Sequence, residues 1–346
     1  MNPITKLISA LSLLLGSTLV ISSSHWMLAW MGLEINTFAI LPLISKPHHP
    51  RAIEATIKYF LVQATASAMI LFSSMINAWH MGQWDITQLT HPTSCLLLTT
   101  AIAMKLGLVP FHFWFPEVLQ GSSLTTALLL STMMKFPPAT ILFLTSHSLN
   151  PTLLTTLALA STALGGWMGL NQTQVRKILA FSSISHLGWM TAITLYNPKL
   201  MLLTLYLYIV LTATTFLTLN STNTLKLTTV MTSWTKAPML NSAFMLTLLS
   251  LAGLPPLTGF LPKWLIIQEL TKQETTTTAT TMALLSLLSL FFYLRLAYYS
   301  TITLPPNPAN NTKQWHINKP TNTTIAILTS LSILLLPLSP LLLALT

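Results

Sequence analysis

The chain has 346 residues, of which 52% are hydrophobic and only 6% charged, with a formal net charge of +10. A water-soluble domain carries roughly 25% charged residues, so a chain this long could not cover its surface in water, and the composition describes an integral membrane protein. The basic residues end apolar runs instead of clustering, which argues against a nucleic-acid footprint, and the single cysteine, Cys95, excludes an internal disulfide framework and any four-cysteine zinc or iron–sulfur site.

A hydrocarbon core of ~30 Å takes about 20 apolar residues per helix, and on that measure the chain holds about eleven spans. The first lies near 3–21 and reads as a membrane helix, not a cleavable leader. The next are near 25–45, 57–77 and 94–122. They are followed by 123–145, 151–170, 176–195 and 199–219, then 240–270, 279–302 and 323–345. The fold class expected is therefore an all-α multi-pass membrane protein forming one domain over 1–346. The connecting segments are short and rich in Thr, Asn and Pro, as loops or surface helices are. Gly165 and Gly169, four residues apart in LGGWMG, predict a close helix–helix approach.

Charge placement tests the count. With sides alternating at each span, the N-terminal side collects Lys6, Lys46, Arg51, Lys58, Arg176, Lys177, Lys226, Lys236, Lys313 and Lys319. The other side collects only Lys199 and Lys272. That asymmetry puts the N-terminus on the positive, cytoplasm-like side.

Four basic residues fall inside spans: Lys105, Lys135, Lys263 and Arg295. Arg295 is nearer a span end, where a long side chain reaches the interface. Glu34 and Lys135 are about mid-span and Lys105 is close to the centre of a long one, roughly 15 Å from either surface at ~1.5 Å per residue. An isolated charge there costs at least ~2.5–3.5 kcal/mol. A static buried ion pair needs balanced charge, yet one glutamate faces three lysines. That imbalance favours a proton relay, in which some lysines are neutral or hydrated. His112 and His186 lie within spans and can pass protons near neutral pH, although a lone histidine in a helix is also an ordinary packing residue.

Two stretches, GLVPFHFWFPE from Gly107 and GLPPLTGFLPK from Gly253, share glycine first, leucine second, prolines fourth and tenth, and a charge eleventh, at a constant offset of 146 residues. Gly and closely spaced Pro break the helical ladder. In lipid such a break survives only when buried in protein or lining a wet cavity. Broken helices at corresponding places in two halves point to an ion site at a repeat interface. Lys105 precedes the first break and Lys263 follows the second. Neither a dinucleotide fingerprint nor a phosphate-binding loop occurs, and no metal-ligand spacing stands out.

The motifs MGLEINTFAILPL, KLGLVPFHFWFPEVLQG, MMKFPP, QVRKILAFSSISHLGWM and LAGLPPLTGFLPKWLI resemble those of the subunit 2 family of mitochondrial NADH:ubiquinone oxidoreductase (respiratory complex I), an antiporter-like membrane subunit family. The likeness runs along essentially the whole chain. It implies two inverted five-helix repeats, near 1–145 and 151–302, each with one broken helix (105–117 and 253–263), then a terminal helix at 323–345. It implies that Glu34 and Lys105 form a coupled pair, that Lys135 is the central relay lysine, and that Lys263 is near the proton exit. His112 and His186 would link the lysines. Flavin and iron–sulfur clusters would lie on partner subunits, leaving no cofactor in this chain. Its partners would be other complex I membrane subunits and membrane lipids, with ubiquinone only indirectly involved. The N-terminus would face the matrix side of the mitochondrial inner membrane. The family's other branches carry additional N-terminal helices that have no counterpart here. Two other functions fit the same residues: a stand-alone cation/proton antiporter, and a structural spacer of the membrane arm.

Overall fold

The computed structural model describes residues 3–45, 49–233, 237–301 and 323–340. Lys46, Lys236, Lys313 and Lys319, four of the topology charges above, lie outside the described residues. The fold is all-helical, with no strand among the described residues. In chain order the helices are α1 (Pro3–Ser22), α2 (Trp26–Ile44), α3 (Pro50–Met81), α4 (Pro92–Leu106) and α5 (Trp114–Gly121). Then come α6 (Leu124–Ser131), α7 (Phe136–Leu144), α8 (Pro151–Gly169), α9 (Val175–Ile193) and α10 (Pro198–Thr222). The last are α11 (Leu227–Ser233), α12 (Pro238–Ala252), α13 (Phe260–Lys272), α14 (Thr276–Thr301) and α15 (Thr323–Leu334). Among the described residues six segments are long and apolar enough to cross a membrane: α1, α2, α3, the stretch Leu124–Leu144, α10 and α14.

The packing is inverted relative to a water-soluble bundle. Helix α1 buries Ser9, Leu13, Gly16 and Val20, while Ile4, Leu7, Ile8, Leu11, Leu14 and Leu15 are exposed. With lipid outside, no hydrophobic force drives large apolar side chains inward, and small residues let backbones approach. Gly16 and Gly32 do this between α1 and α2, since a Cβ on either would meet the other's carbonyl oxygen at 2.9 Å. The expected glycine contact also forms. A Cβ on Gly165 of α8 would meet the Ser185 nitrogen of α9 at 2.8 Å, and one on Gly188 of α9 would meet the Ala158 carbonyl of α8 at 2.9 Å. Buried hydroxyls turn back onto their own helix: Thr212 Oγ1 donates to the Tyr208 carbonyl at 2.8 Å and Ser183 Oγ to the Ala180 carbonyl at 2.7 Å. These hydroxyls are thereby satisfied within their own helix, as an apolar surrounding requires. Cys95 is buried, as a small apolar residue would be.

Both repeated stretches break a helix. Helix α4 ends at Gly107 (φ +77°) and α12 at Gly253 (φ +83°), each a left-handed cap whose N–H closes the preceding turn. Only glycine takes that conformation without strain. The chain resumes as α5 at Trp114 and as α13 at Phe260.

The span expected at 123–145 is not one continuous helix. It divides into α6 and α7, separated by a tight 3₁₀ turn at Met133–Lys135. Pro137 and Pro138 sit in the first turn of α7 and have no N–H to return to the turn before, so the ladder cannot run through. Lys135 stands at that discontinuity.

Candidate functional site

Of the in-span charges, Lys135 and Lys263 are linked through Tyr208 and a shared cavity, while Glu34 and Lys105 stand on α2 and α4. Glu34 projects from α2, half-buried, and its Oε2 accepts from Thr37 Oγ1 at 3.1 Å. Lys105, in the last turn of α4, is 5% exposed, and its Nζ has no hydrogen-bond partner among the described residues. Glu34 acts electrostatically on both Lys105 and the buried Tyr59, yet no ion pair joins Glu34 to Lys105. The two residues of the pair implied by the resemblance are therefore not in direct contact.

Lys135 is 3% exposed. Its Nζ donates to the Tyr208 hydroxyl at 3.1 Å. It also stands 4.8 Å from the Phe115 ring centre and 4.9 Å from that of Tyr208. An ammonium between two aromatic faces is stabilised without a counter-ion. Tyr208 continues the row, with its ring 5.7 Å from that of His186. His186 Nε2 is 3.3 Å from the Tyr293 hydroxyl. His186 thus neighbours Tyr208, the hydrogen-bond partner of Lys135, and lines a cavity with Lys263.

Lys263 bends back from α13, and its Nζ donates to the Ala252 carbonyl at 2.8 Å. It thereby occupies the C-terminal end of α12, where the helix dipole favours a cation. A cavity of about 20 Å³ is lined by His186, Thr204, Tyr208, Gly259 and Lys263. That is the size of a single-water site with several polar partners.

His112 does not join the row. It is 1% exposed inside the first break, where its Nε2 meets Met168 Sδ of α8 at 3.3 Å and its ring packs on Phe113. Arg295 is half-buried. It donates to the Leu170 carbonyl, and to the Gln172 carbonyl at 3.2 Å, just past the end of α8. Its place near a span end is as expected, with loop carbonyls rather than lipid headgroups as partners.

Tyr208 and Tyr293 are residues that sequence reasoning missed. Tyr208 is written TLYLYIV, and its twin Tyr206 is 51% exposed, so the pair reads as ordinary span aromatics. The available signal was that Tyr208, not Tyr206, falls on the helix face shared with Thr204, Leu211 and Thr212, which are all buried. Among the described residues no three His, Cys, Asp or Glu side chains gather into a metal-ligating group.

Interrupted helices around a row of buried lysines define a class, the antiporter-like membrane subunits. Residues 23–289 match the family described as NADH:quinone oxidoreductase/Mrp antiporter, TM, and residues 290–343 match NADH dehydrogenase subunit 2 C-terminus. In fold alone the chain is similar to a structure of the Mrp complex from Dietzia sp. DQ12-45-1b, with a TM-score of 0.77 and 18% identity over 87% of this chain and 61% of that one. It is similar to a chain of respiratory complex I from Thermus thermophilus, solved with bound aureothin, with a TM-score of 0.84 and 27% identity over 97% and 80% of the two chains. It is 77% identical over 344 residues to NADH-ubiquinone oxidoreductase chain 2 of Struthio camelus, covering 99% of both. The chain belongs to the NADH-ubiquinone oxidoreductase chain 2 family, which makes it an antiporter-like membrane subunit of a respiratory enzyme.

Proposed function

We propose that this chain moves protons through the mitochondrial inner membrane along Glu34, Lys105, Lys135, Tyr208, His186 and Lys263, driven by quinone reduction on partner subunits. The observation that carries the reading is Lys135, a buried lysine whose amine bonds to a tyrosine hydroxyl and not to a carboxylate. A charge kept in a membrane interior without a counter-ion has a functional reason. Proton transfer needs heavy atoms about 2.6–3.2 Å apart, directly or through one water. Lys135 and Tyr208 meet that at 3.1 Å, and the single-water cavity reaches from Tyr208 and His186 to Lys263.

The discontinuous step is Glu34 to Lys105. With Lys105 Nζ unpartnered, a shift of Glu34 toward or away from it changes how readily Lys105 holds its proton. Redox events elsewhere in the complex can load or empty the row by that shift. Flavin and iron–sulfur clusters belong to partner subunits in this reading. His112 is assigned to packing in the first break.

The topology that suits this role has eleven passes arranged as two inverted five-helix repeats, near 1–145 and 151–302, with a terminal helix at 323–345 and the N-terminus in the matrix. The matching bounds of α4 and α12, each beginning on a proline and ending before a left-handed glycine at an offset of 146 residues, support it. In assembled complex, Lys105→Met lowers quinone-linked NADH oxidation while oxidation by a hydrophilic acceptor that bypasses quinone stays at wild type. Ion exchange by the purified chain alone in liposomes would instead favour a free-standing antiporter. Unchanged quinone-linked turnover and pumping would favour a spacer.

A further inference from the structure

Two cavities on the N-terminal side of the fold adjoin each other, and neither belongs to the lysine row. The first, about 560 Å³, is lined by Arg51, Arg176, His49, Ser122, Asn220 and Asn223, among others. No carboxylate lines it. Glu54 and Glu117 line a neighbouring cavity that shares Arg51, and both are engaged by Lys58. The Arg51 and Arg176 side chains line this one cavity. Arg176 Nη1 donates to the Ser122 carbonyl, but its Nε is buried without a hydrogen-bond partner among the described residues. Helices α3 and α6 both start at this cavity, adding the positive ends of two helix dipoles. Two like charges and two helix starts around a cavity with no carboxylate among its described lining residues make a site suited to an anion.

The second cavity, about 870 Å³, is an open trough between α1, the end of α2 and α6. Its floor is Leu13, Leu14, Leu43, Leu129 and Met133, and Lys6 stands at its rim. The two cavities meet at Ser123, which lines both. A polar anion site continuous with a long apolar trough has the division of a phospholipid, and a free phosphate has no use for the trough. We infer that this face binds one anionic phospholipid, with its phosphate between Arg51 and Arg176 and an acyl chain in the trough beside α1 and α6. Arginine suits the headgroup because its planar fork meets two phosphate oxygens at once. The inference is independent of the proton reading.

The test uses assembled complex in nanodiscs containing a phosphatidylglycerol probe with a photoreactive group in its acyl chain, followed by peptide mapping. Labelling of α1 and α6 trough residues is expected to exceed that from a matched phosphatidylcholine probe by about tenfold, as charge-assisted contacts to a phosphate allow. Arg51→Gln is expected to bring it down to the phosphatidylcholine level. Arg51 is exposed, so this variant carries the test even if Arg176→Gln disturbs the Ser122 cap. Lys226→Gln, on the same side but lining neither cavity, is the control and leaves labelling unchanged. Equal labelling by the two probes, or labelling indifferent to Arg51→Gln, overturns the assignment. Loss of labelling on adding inorganic phosphate also overturns it, because the site then takes free phosphate.

Discussion

Helices α4 and α12 are each 15 residues long, start on a proline and stop at a left-handed glycine, and they differ in what closes them. At the first break the indole of Trp114 donates to the Met104 carbonyl at 3.2 Å, a neutral seal. At the second the Lys263 ammonium donates to the Ala252 carbonyl, a charged one. The position matching Lys263 in the first copy is Glu117, which turns outward to Lys58 at 2.5 Å. The first break thus keeps its charge in the helix before it, on Lys105, and the second takes its charge from the helix after it. Only the second break supplies its lysine with a polar partner from a broken helix end, and Lys105 Nζ beside the first has none among the described residues.

The sharpest difference between the copies is the last loop position. A Cβ on Gly259 would overlap the Ser250 carbonyl of the same break, whereas the matching residue in the first copy, Phe113, is 64% exposed. Gly259→Ala therefore prevents assembly, visible as loss of intact complex on native gels, and Phe113→Ala leaves assembly intact. Equal tolerance at both would erase the distinction. Next in size are the two caps. Alanine at either costs about 1–2 kcal/mol for the left-handed backbone. At Gly253 the new Cβ also meets Lys263 Cδ at 2.9 Å and Nζ at 3.0 Å, while at Gly107 the nearest atom is Trp114 at 3.5 Å. Gly253→Ala accordingly lowers quinone-linked turnover more than Gly107→Ala does.

A smaller, more specific effect is expected at Tyr208, which lines the cavity at the second break and bonds to Lys135. Tyr208→Phe removes the hydroxyl that Lys135 donates to, and quinone-linked activity falls about tenfold, the scale of one lost hydrogen bond to a charged group. Tyr206→Phe, on the exposed face, does not change it. The smallest effect is at Glu117. Its pair with Lys58 is solvent-exposed, and surface pairs contribute little, so Glu117→Gln leaves both assembly and turnover at wild type. A large loss there would mean that the first break, like the second, depends on its terminal charge.

Much of this was legible in residues whose physics is local. Glycine and proline announced both breaks, and charges isolated in apolar runs announced Glu34, Lys105, Lys135 and Lys263, because each carries its cost wherever it lies in lipid. The interruption at Lys135 was not read from the sequence, because the run around Pro137 and Pro138 reads as one apolar span. What depends on which face turns inward was hidden. In α10 both faces are largely apolar, so only the hydroxyls of Thr204 and Thr212, one turn either side, distinguish Tyr208 from Tyr206. The absence of a Glu34–Lys105 contact and the place of His112 against Met168 depend on packing between helices far apart in sequence, which spacing along one chain does not encode.

The most direct measurement is protons translocated per NADH oxidised in assembled complex carrying Lys135→Met, beside acceptor activity that bypasses quinone. The relay account predicts normal assembly and acceptor activity with fewer protons per NADH or reduced quinone-linked turnover. A wild-type ratio at wild-type turnover would contradict it and leave Lys135 as a packing residue between Phe115 and Tyr208.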